Sequence, residues 1–172
     1  MFDVYIMGAG ILPVTVYKNE IYFLYGRESV EASRKYDKGK WSDFGGSREK
    51  GESALKTAER EGWEETAGIL GNKQDIKNLI KRNLLDKVIY NDGKGTYTVF
   101  LVLIPYDKTL PYKLRKIYKK ALKNEPEKVF AHNGLYEKDK AEWIPLHKLK
   151  SRIHTFRKWY RPVVHQTIAL FN

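Results

Sequence analysis

The segment at residues 45–68, GGSREKGESALKTAEREGWEETAG, constrains the fold more than any other part of this 172-residue chain. It opens on a glycine pair and continues into a run of strong helix formers, including alanine, leucine, glutamate and lysine. Gly68 is typical of the residue that follows a helix. The segment therefore predicts a helix over residues 53–67, ending near this glycine.

Three glutamates cluster on one face of this predicted helix. At about 100° per residue, Glu64 and Glu65 lie about 60° to one side and about 40° to the other side of Glu61. The three carboxylates therefore share one arc of roughly 100°, which borders the arc that we expect to be buried. That buried arc carries Leu55, Ala58, Gly62 and Ile69.

Carboxylates at this spacing repel each other, which destabilises a helix unless a cation lies among them. Oxygen ligands on one rigid helix suit Mg²⁺ or Mn²⁺, whose remaining ligands are water and substrate phosphates. The alternative is an ordinary charged face, whose glutamates pair with cations of the same segment. Those cations are Lys50, Lys56 and Arg60.

The spacing of the whole segment favours the metal site, because it resembles the Nudix box. That pattern is a glycine, five residues, a glutamate, seven residues, Arg-Glu, two residues, Glu-Glu and a closing glycine. The matching residues here are Gly46, Glu52, Arg60, Glu61, Glu64 and Glu65, and Gly68 is the closing glycine.

The segment departs from this pattern at three points. The usually apolar position after Arg-Glu is Gly62, a weak helix former. Two residues, Thr66 and Ala67, precede the closing glycine where one is usual, so we expect a helix longer by one residue beyond the carboxylates. The common proline before the glycine pair is Phe44, which leaves the loop entry less rigid.

The resemblance implies the roles of the box residues. Glu61, Glu64 and Glu65 resemble metal ligands for Mg²⁺, or for Mn²⁺, and the backbone carbonyl of Gly45 resembles a further ligand. Glu61 is also a candidate for the catalytic base.

Two other box residues resemble supporting groups. Arg60 is similar to an arginine that holds a catalytic carboxylate by a bidentate contact. Gly46 and Glu52 are similar to residues that support the box loop, and Glu52 is also a candidate for a metal contact through water.

A second candidate site lies downstream, in GLYEKDKAEWIPLHKL. Some Nudix proteins carry a loop glutamate, six residues before a tryptophan-containing strand, that completes the metal site or serves as base. Glu137 stands six residues before Trp143 and is our candidate. Asp139 and Glu142 are its rivals, and the plain alternative is a solvated loop carboxylate.

Three further features are candidates for substrate contact. Arg27 ends the second predicted strand and Trp41 precedes the glycine pair, at positions similar to substrate contacts in relatives. Trp41 is equally compatible with a place in the core. The basic and aromatic run FRKWYRP, residues 156–162, suits either base stacking or helix packing.

The rest of the chain predicts a mixture of strands and helices. Strands are expected at Ile11–Tyr17, Ile21–Tyr25, Lys87–Tyr90 and Tyr97–Pro105, and further helices at Gln74–Leu85, Lys113–Leu122 and 157–171. The order lacks regular βαβ units, which favours an α/β sandwich over a doubly wound sheet. The resemblance implies the Nudix fold, a mixed β-sheet sandwiched between helices, in one domain over residues 1–172.

The composition of the chain excludes some kinds of site and suggests where the protein is found and what it binds. The absence of cysteine excludes disulfides, thiolate metal sites and a cysteine nucleophile. No apolar run is long enough to span a membrane. The N-terminal residues include Asp3 and lack the basic residues of a signal peptide. We therefore expect a cytoplasmic protein. The net charge is +11. Such an excess either attracts polyanions or is merely solvated by water, and the basic residues are densest in Lys113–Lys123 and Lys148–Arg161.

The expected function is Mg²⁺-dependent cleavage of a diphosphate bond in a nucleotide-linked substrate. The basic excess favours the 5′ cap of RNA as that substrate, and RNA as a partner. Small nucleotides, dinucleoside polyphosphates, sugar nucleotides and diphosphoinositol phosphates are alternatives. A Nudix module that binds nucleotide or RNA without catalysis is an alternative of another class, although no box carboxylate is missing.

Overall fold

The computed structural model describes residues 6–172, so Asp3 lies outside the described part of the chain. The strands are β1 (Ile6–Tyr17), β2 (Glu20–Glu28), β3 (Trp41–Ser42), β4 (Phe44–Ser47), β5 (Leu84–Asn91), β6 (Thr96–Leu103) and β7 (Lys138–Pro145). The helices are α1 (Ala54–Glu65), α2 (Lys73–Asn83), α3 (Leu110–Asn124), α4 (Pro126–Val129), α5 (Leu146–Leu149) and α6 (Arg161–Leu170).

Strand β1 organises the mixed sheet. It runs parallel to β6 and divides its other edge between two antiparallel partners. Its first half pairs with β4, with Gly10 opposite Gly45, and its second half pairs with β2 through the hairpin turn at Lys18 and Asn19. This division brings the glycine pair of β4 beside the start of β1.

The sheet carries a hydrophobic core on each face, because side chains alternate along its strands. Along β1, Leu12 packs in the core that includes residues of α5 and α6. Its neighbour Ile11 packs in the opposite core, with residues of α1, α2 and α3. The predicted fold class, a mixed β-sheet between helices, is confirmed.

Two expectations for the box helix are corrected. The helix ends at Glu65 rather than growing longer, because the Thr66 side chain donates to the carbonyl of Gly62 at 2.6 Å and the chain then turns through positive φ at Ala67 and Gly68. The additional residue is thus absorbed by the turn, beyond the carboxylates. Leu55, expected in the buried arc, is 43% exposed.

The C-terminal helix is shorter than expected. It begins at Arg161, and residues 158–160 form a tighter 3-10 turn before it. Pro162 lies in the first turn of α6, where its missing N–H costs nothing. Within residues 6–172 no helix is long and apolar enough to cross a membrane.

Candidate active site

A cavity of about 710 Å³ brings the predicted box residues together with distant parts of the chain. One wall is the glycine pair of β4 with the acidic face of α1. The other walls come from the segment 32–37, the loop 129–137 and the C-terminal turn before α6. Lining side chains include Arg60, Glu61, Glu64, Glu65 and Glu137.

The glycine pair is required by close packing. A Cβ added at Gly45 would lie 2.6 Å from the Cα of Gly10, on the neighbouring strand. A Cβ added at Gly46 would lie 2.5 Å from the carboxylate carbon of Glu61. Glycine at both positions therefore lets β4 approach β1 on one side and α1 on the other, with Glu61 held against the loop.

Arg60 connects the loop to the acidic face of the helix. Its Nε and Nη2 donate to the two carboxylate oxygens of Glu52 at 2.7 and 3.1 Å. Its Nη1 donates to Glu61 at 2.8 Å and lies 3.4 Å from Glu64. The bidentate contact expected for a metal-binding carboxylate is thus made to Glu52 instead, because the planar guanidinium faces the loop; Glu61 receives a single bond.

Glu52 supports the box loop as a shared acceptor. Besides Arg60, it accepts from the backbone N–H of Glu49 at 3.0 Å and from the hydroxyl of Thr57 at 2.8 Å. The bonds from Arg60, with smaller help from Glu49 and Thr57, lower the pKa of Glu52 to about 2. This carboxylate is therefore committed to internal donors.

The three carboxylates on the acidic face of α1 have raised pKa values, in contrast to Glu52. Burial raises the pKa of Glu61 to about 7 against the opposing charge of Arg60, and burial also raises that of Glu64. Glu65 is only 4% exposed, and burial raises its pKa well above the ordinary range against the charge of Lys138. The oxygen Oε2 of Glu65 is buried without a hydrogen-bond partner.

These raised pKa values predict how the stability of the protein depends on pH without metal. A carboxyl group whose pKa is higher in the folded chain stabilises the fold fully below its unfolded value of about 4.5, and this contribution is lost as pH rises through the folded value. The melting temperature in EDTA should therefore fall from pH 5 to pH 8.

Comparison with variants isolates the contribution of the box. Asp43, whose pKa burial also raises to about 7, adds to the fall in every variant. Thermal melts of Glu61→Gln and Glu65→Gln should show a smaller fall than wild type, and saturating Mg²⁺ should reduce the fall in wild type. Parallel pH curves for wild type and both variants would contradict the assignment.

The donor set suits a hard cation that shares its shell with substrate. Among residues 6–172, no three His, Asp or Glu side chains are arranged to hold a metal ion between them. Mg²⁺ commonly uses one or two carboxylates and completes its octahedral shell with water and phosphate oxygens. The unpartnered oxygen of Glu65 is an acceptor of the kind that such a cation binds.

The structure separates Glu137 from its two rivals. Glu137 lines the cavity, and its carboxylate accepts from the backbone N–H of Gly134 at 3.1 Å. Asp139 is fully buried and binds Arg27, and Glu142 forms an ion pair with Arg152. Of the three, Glu137 is the carboxylate that faces the box.

The family model of the NUDIX domain matches residues 4–167, which is nearly the whole chain. The chain belongs to the Nudix family. It is a hydrolase that acts on pyrophosphate bonds. A search of curated proteins finds no match to this Nudix hydrolase.

Solved structures share its fold at low sequence identity. A bifunctional NMN adenylyltransferase/ADP ribose pyrophosphatase from Francisella tularensis, complexed with AMP and Mn ion, is 14% identical, with a TM-score of 0.57 over 95% of this chain and 41% of that chain. An Ap4A hydrolase from C. elegans is 14% identical, with a TM-score of 0.50 over 98% of each chain. The NUDIX domain of Shewanella oneidensis NrtR, complexed with ADP ribose, is 13% identical, with a TM-score of 0.50 over 99% of this chain and 91% of that chain.

Two candidate substrate contacts of this Nudix hydrolase lie elsewhere. Arg27 is not among the residues lining the cavity, because its guanidinium binds both carboxylate oxygens of Asp139 at 2.8 and 3.1 Å. Trp41 is only 6% exposed and packs in the core with Phe156 and Tyr160. The structure therefore gives both side chains packing and pairing partners away from the cavity.

The cavity is also lined by Glu28 and Asp37, which no sequence pattern indicated. Glu28, at the end of β2, accepts from the fully buried ammonium group of Lys138 at 2.7 Å and lies 3.4 Å from the guanidinium of Arg157. Arg157 in turn binds Asp37. These partners are more than 100 residues apart along the chain, so no local spacing could reveal them.

Proposed function

We propose that this Nudix hydrolase cleaves a diphosphate bond in a nucleoside-diphosphate-linked substrate, with Mg²⁺ as cofactor and Mn²⁺ as an alternative. One observation carries the proposal: the buried, unpartnered carboxylate oxygen of Glu65 stands in the same cavity wall as Glu61 and Glu64. A buried acceptor without a donor is costly unless a cation occupies its neighbourhood.

Each box residue has a role in this proposal. One or two of the carboxylates of Glu61, Glu64 and Glu65, with the backbone carbonyl of Gly45, would hold the cation, and water and phosphate oxygens would complete its shell. When bound, divalent cations neutralise the diphosphate and lower the pKa of the attacking water. Arg60 keeps Glu61 in place through the bond from its Nη1.

Glu137 or Glu61 takes the proton of the attacking water. A base must lie within hydrogen-bond reach of that water, and both carboxylates line the cavity. Glu137 reaches the same cavity from a loop whose Gly134 leaves room only for a hydrogen beside the carboxylate of Glu64. Both are retained as candidates.

The decisive test of the reaction is a substrate panel assayed with Mg²⁺ and with Mn²⁺. It contains nucleoside triphosphates, dinucleoside polyphosphates, ADP-ribose, sugar nucleotides, diphosphoinositol phosphates and capped RNA. Release of a nucleoside monophosphate that stops in EDTA supports the proposal. Binding of nucleotides without turnover of any of them supports the non-catalytic alternative.

Small nucleotide-linked diphosphates rank first within this class. Of the two basic segments that suggested RNA, helix α3 is absent from the residues that line the cavity, and the C-terminal run contributes only Arg157 and Trp159 to them. The names of two structural neighbours include Ap4A and ADP ribose, which are compounds of the small class. The 5′ cap of RNA, held through the basic surface, remains a proposal, as does a cytoplasmic location.

A salt titration separates these substrates. If the basic surface holds RNA, kcat/KM for capped RNA should fall steeply with salt, with a log–log slope near −0.7 per phosphate neutralised. Hydrolysis of the free cap dinucleotide should respond much less, because few phosphates are held. Equal kcat/KM values or equal slopes for the two substrates would exclude a role for the RNA body.

A further inference from the structure

The C-terminal turn before α6, residues 157–160, supplies one of the cavity walls that lie outside the box. Arg157 and Trp159 both line the cavity, together with the carboxylates of α1. The box accounts for the diphosphate end of a substrate only. An extended substrate must therefore contact other walls.

The turn is held firmly in position. The backbone N–H of Arg157 donates to the carbonyl of Trp41 at 3.0 Å, and the guanidinium of Arg157 binds the two carboxylate oxygens of Asp37 at 3.1 and 3.2 Å. Behind the turn, Tyr160 is fully buried in the core. These contacts fix the backbone from which the side chain of Trp159 projects.

The side chain of Trp159 is more exposed than that of the buried Trp41. It is 37% exposed, whereas Trp41 is 6% exposed. The aromatic rings nearest to it, Tyr97 and Tyr160, are steeply inclined at 73° and 84°, so neither stacks parallel to the indole. The guanidinium of Arg157 lies 5.2 Å from the ring centroid.

We propose that Trp159, with Arg157 beside it, is the nucleobase-binding platform of this cavity. The inference rests on the proposed function in taking a nucleotide as ligand. An indole stacks on any base through its π-face, and the guanidinium of Arg157, which Asp37 holds in place, lies beside the same ring. The platform therefore selects for a base without reading its identity, and it favours purines for their larger ring area.

The test is a binding ratio rather than an activity. Calorimetry in Mg²⁺ buffer compares AMP with ribose 5-phosphate, which is the same ligand without its base. Because stacking on one aromatic residue strengthens binding roughly 5–150-fold, wild type should bind AMP more tightly by a factor in that range. Trp159→Ala should bring the ratio close to one through loss of AMP affinity, with ribose 5-phosphate unchanged.

Matched variants separate stacking from a structural effect. Trp159→Phe should retain part of the ratio, and Trp159→Leu, which keeps apolar bulk without an aromatic face, should lose it. Trp63→Phe is the control, because Trp63 also has a cation over its ring, Lys73 at 5.0 Å, but is not among the lining residues.

A wild-type ratio near one overturns the platform, and so does an unchanged ratio in both Trp159→Ala and Trp159→Leu. An equal loss of affinity for AMP and for ribose 5-phosphate in Trp159→Leu, with an unchanged thermal melt, also overturns the platform. A protein that hydrolyses nothing in the substrate panel but keeps the ratio contradicts the proposed function and supports this inference.

Discussion

Glu65→Gln should lower kcat by at least about 100-fold at saturating Mg²⁺ while the fold stays intact. Loss of a charge that neutralises and positions a catalytic cation costs several kcal/mol of transition-state stabilisation, and each 1.36 kcal/mol is tenfold in rate. Glutamine keeps the size of the side chain, so the change removes little besides charge. Steady-state kinetics and a thermal melt measure the two parts of the prediction.

In metal-free buffer, Glu65→Gln should stabilise the fold. Burial of the Glu65 carboxylate without a partner for Oε2 opposes folding once the group is ionised, because the charged form is poorly solvated. Above pH 7 in EDTA, Glu65→Gln should therefore melt at a higher temperature than wild type. A neutral or stabilised fold combined with lost turnover is the signature of a functional carboxylate, and packing residues do not show it.

Glu64→Gln should behave in the same way, with a smaller gain in melting temperature because Glu64 is less buried than Glu65. The matched control is Glu59→Gln, on the same helix but not among the residues that line the cavity. The control should retain wild-type rate. If Glu65→Gln or Glu64→Gln keeps more than a tenth of the wild-type rate at saturating Mg²⁺, that residue is removed from the metal site.

The part of the site that the sequence predicted is the part built from neighbours along the chain. The spacing of Glu61, Glu64 and Glu65 determines a shared helical face without knowledge of the rest of the fold. Glu137 could be chosen through the resemblance, because it stands six residues before Trp143. In both cases a short segment contains the relevant geometry, and the structure places all four carboxylates in one cavity.

The other residues of the site are determined by pairings between segments that are distant along the chain. Arg27 resembled a substrate contact, but Asp139 on the neighbouring strand β7 binds it. The network of Glu28, Lys138 and Arg157 joins β2, β7 and the C-terminal turn. Alternation along a strand gives the face of a residue but not the charge that it meets on another strand, so tertiary pairing decided these residues.

The basic composition was also weak evidence about the site, because it does not indicate where a charge lies. The run FRKWYRP contributes Arg157 and Trp159 to the cavity, whereas its Tyr160 is buried in the core. Of the two alternatives considered for this run, packing is thus observed for Tyr160, and base stacking stays a proposal for Trp159. Only the structure could divide them, because neighbouring residues in a turn point in different directions.

Glu137→Gln should lower kcat by about 10²–10⁴-fold, as expected when a positioned base or a ligand is lost. The carboxylate is held by the backbone N–H of Gly134, and the backbone carbonyl of Glu137 accepts from Ser29 at 2.9 Å. Glutamine preserves these contacts, so the thermal melt should change little. Metal titration without substrate distinguishes the two roles, because loss of a base leaves metal affinity unchanged and loss of a ligand lowers it.

The two rival carboxylates are natural controls for this variant. Glu142→Gln loses an ion pair with Arg152 and should keep wild-type kcat. Asp139→Asn breaks the pair with Arg27 and should lower the melting temperature, because a guanidinium that is only 24% exposed is left without its counter-charge. Its effect on kcat, measured well below that melting temperature, should be small. A near wild-type kcat for Glu137→Gln, alongside an inactive Glu61→Gln, would transfer the role of base to Glu61, which lines the same cavity.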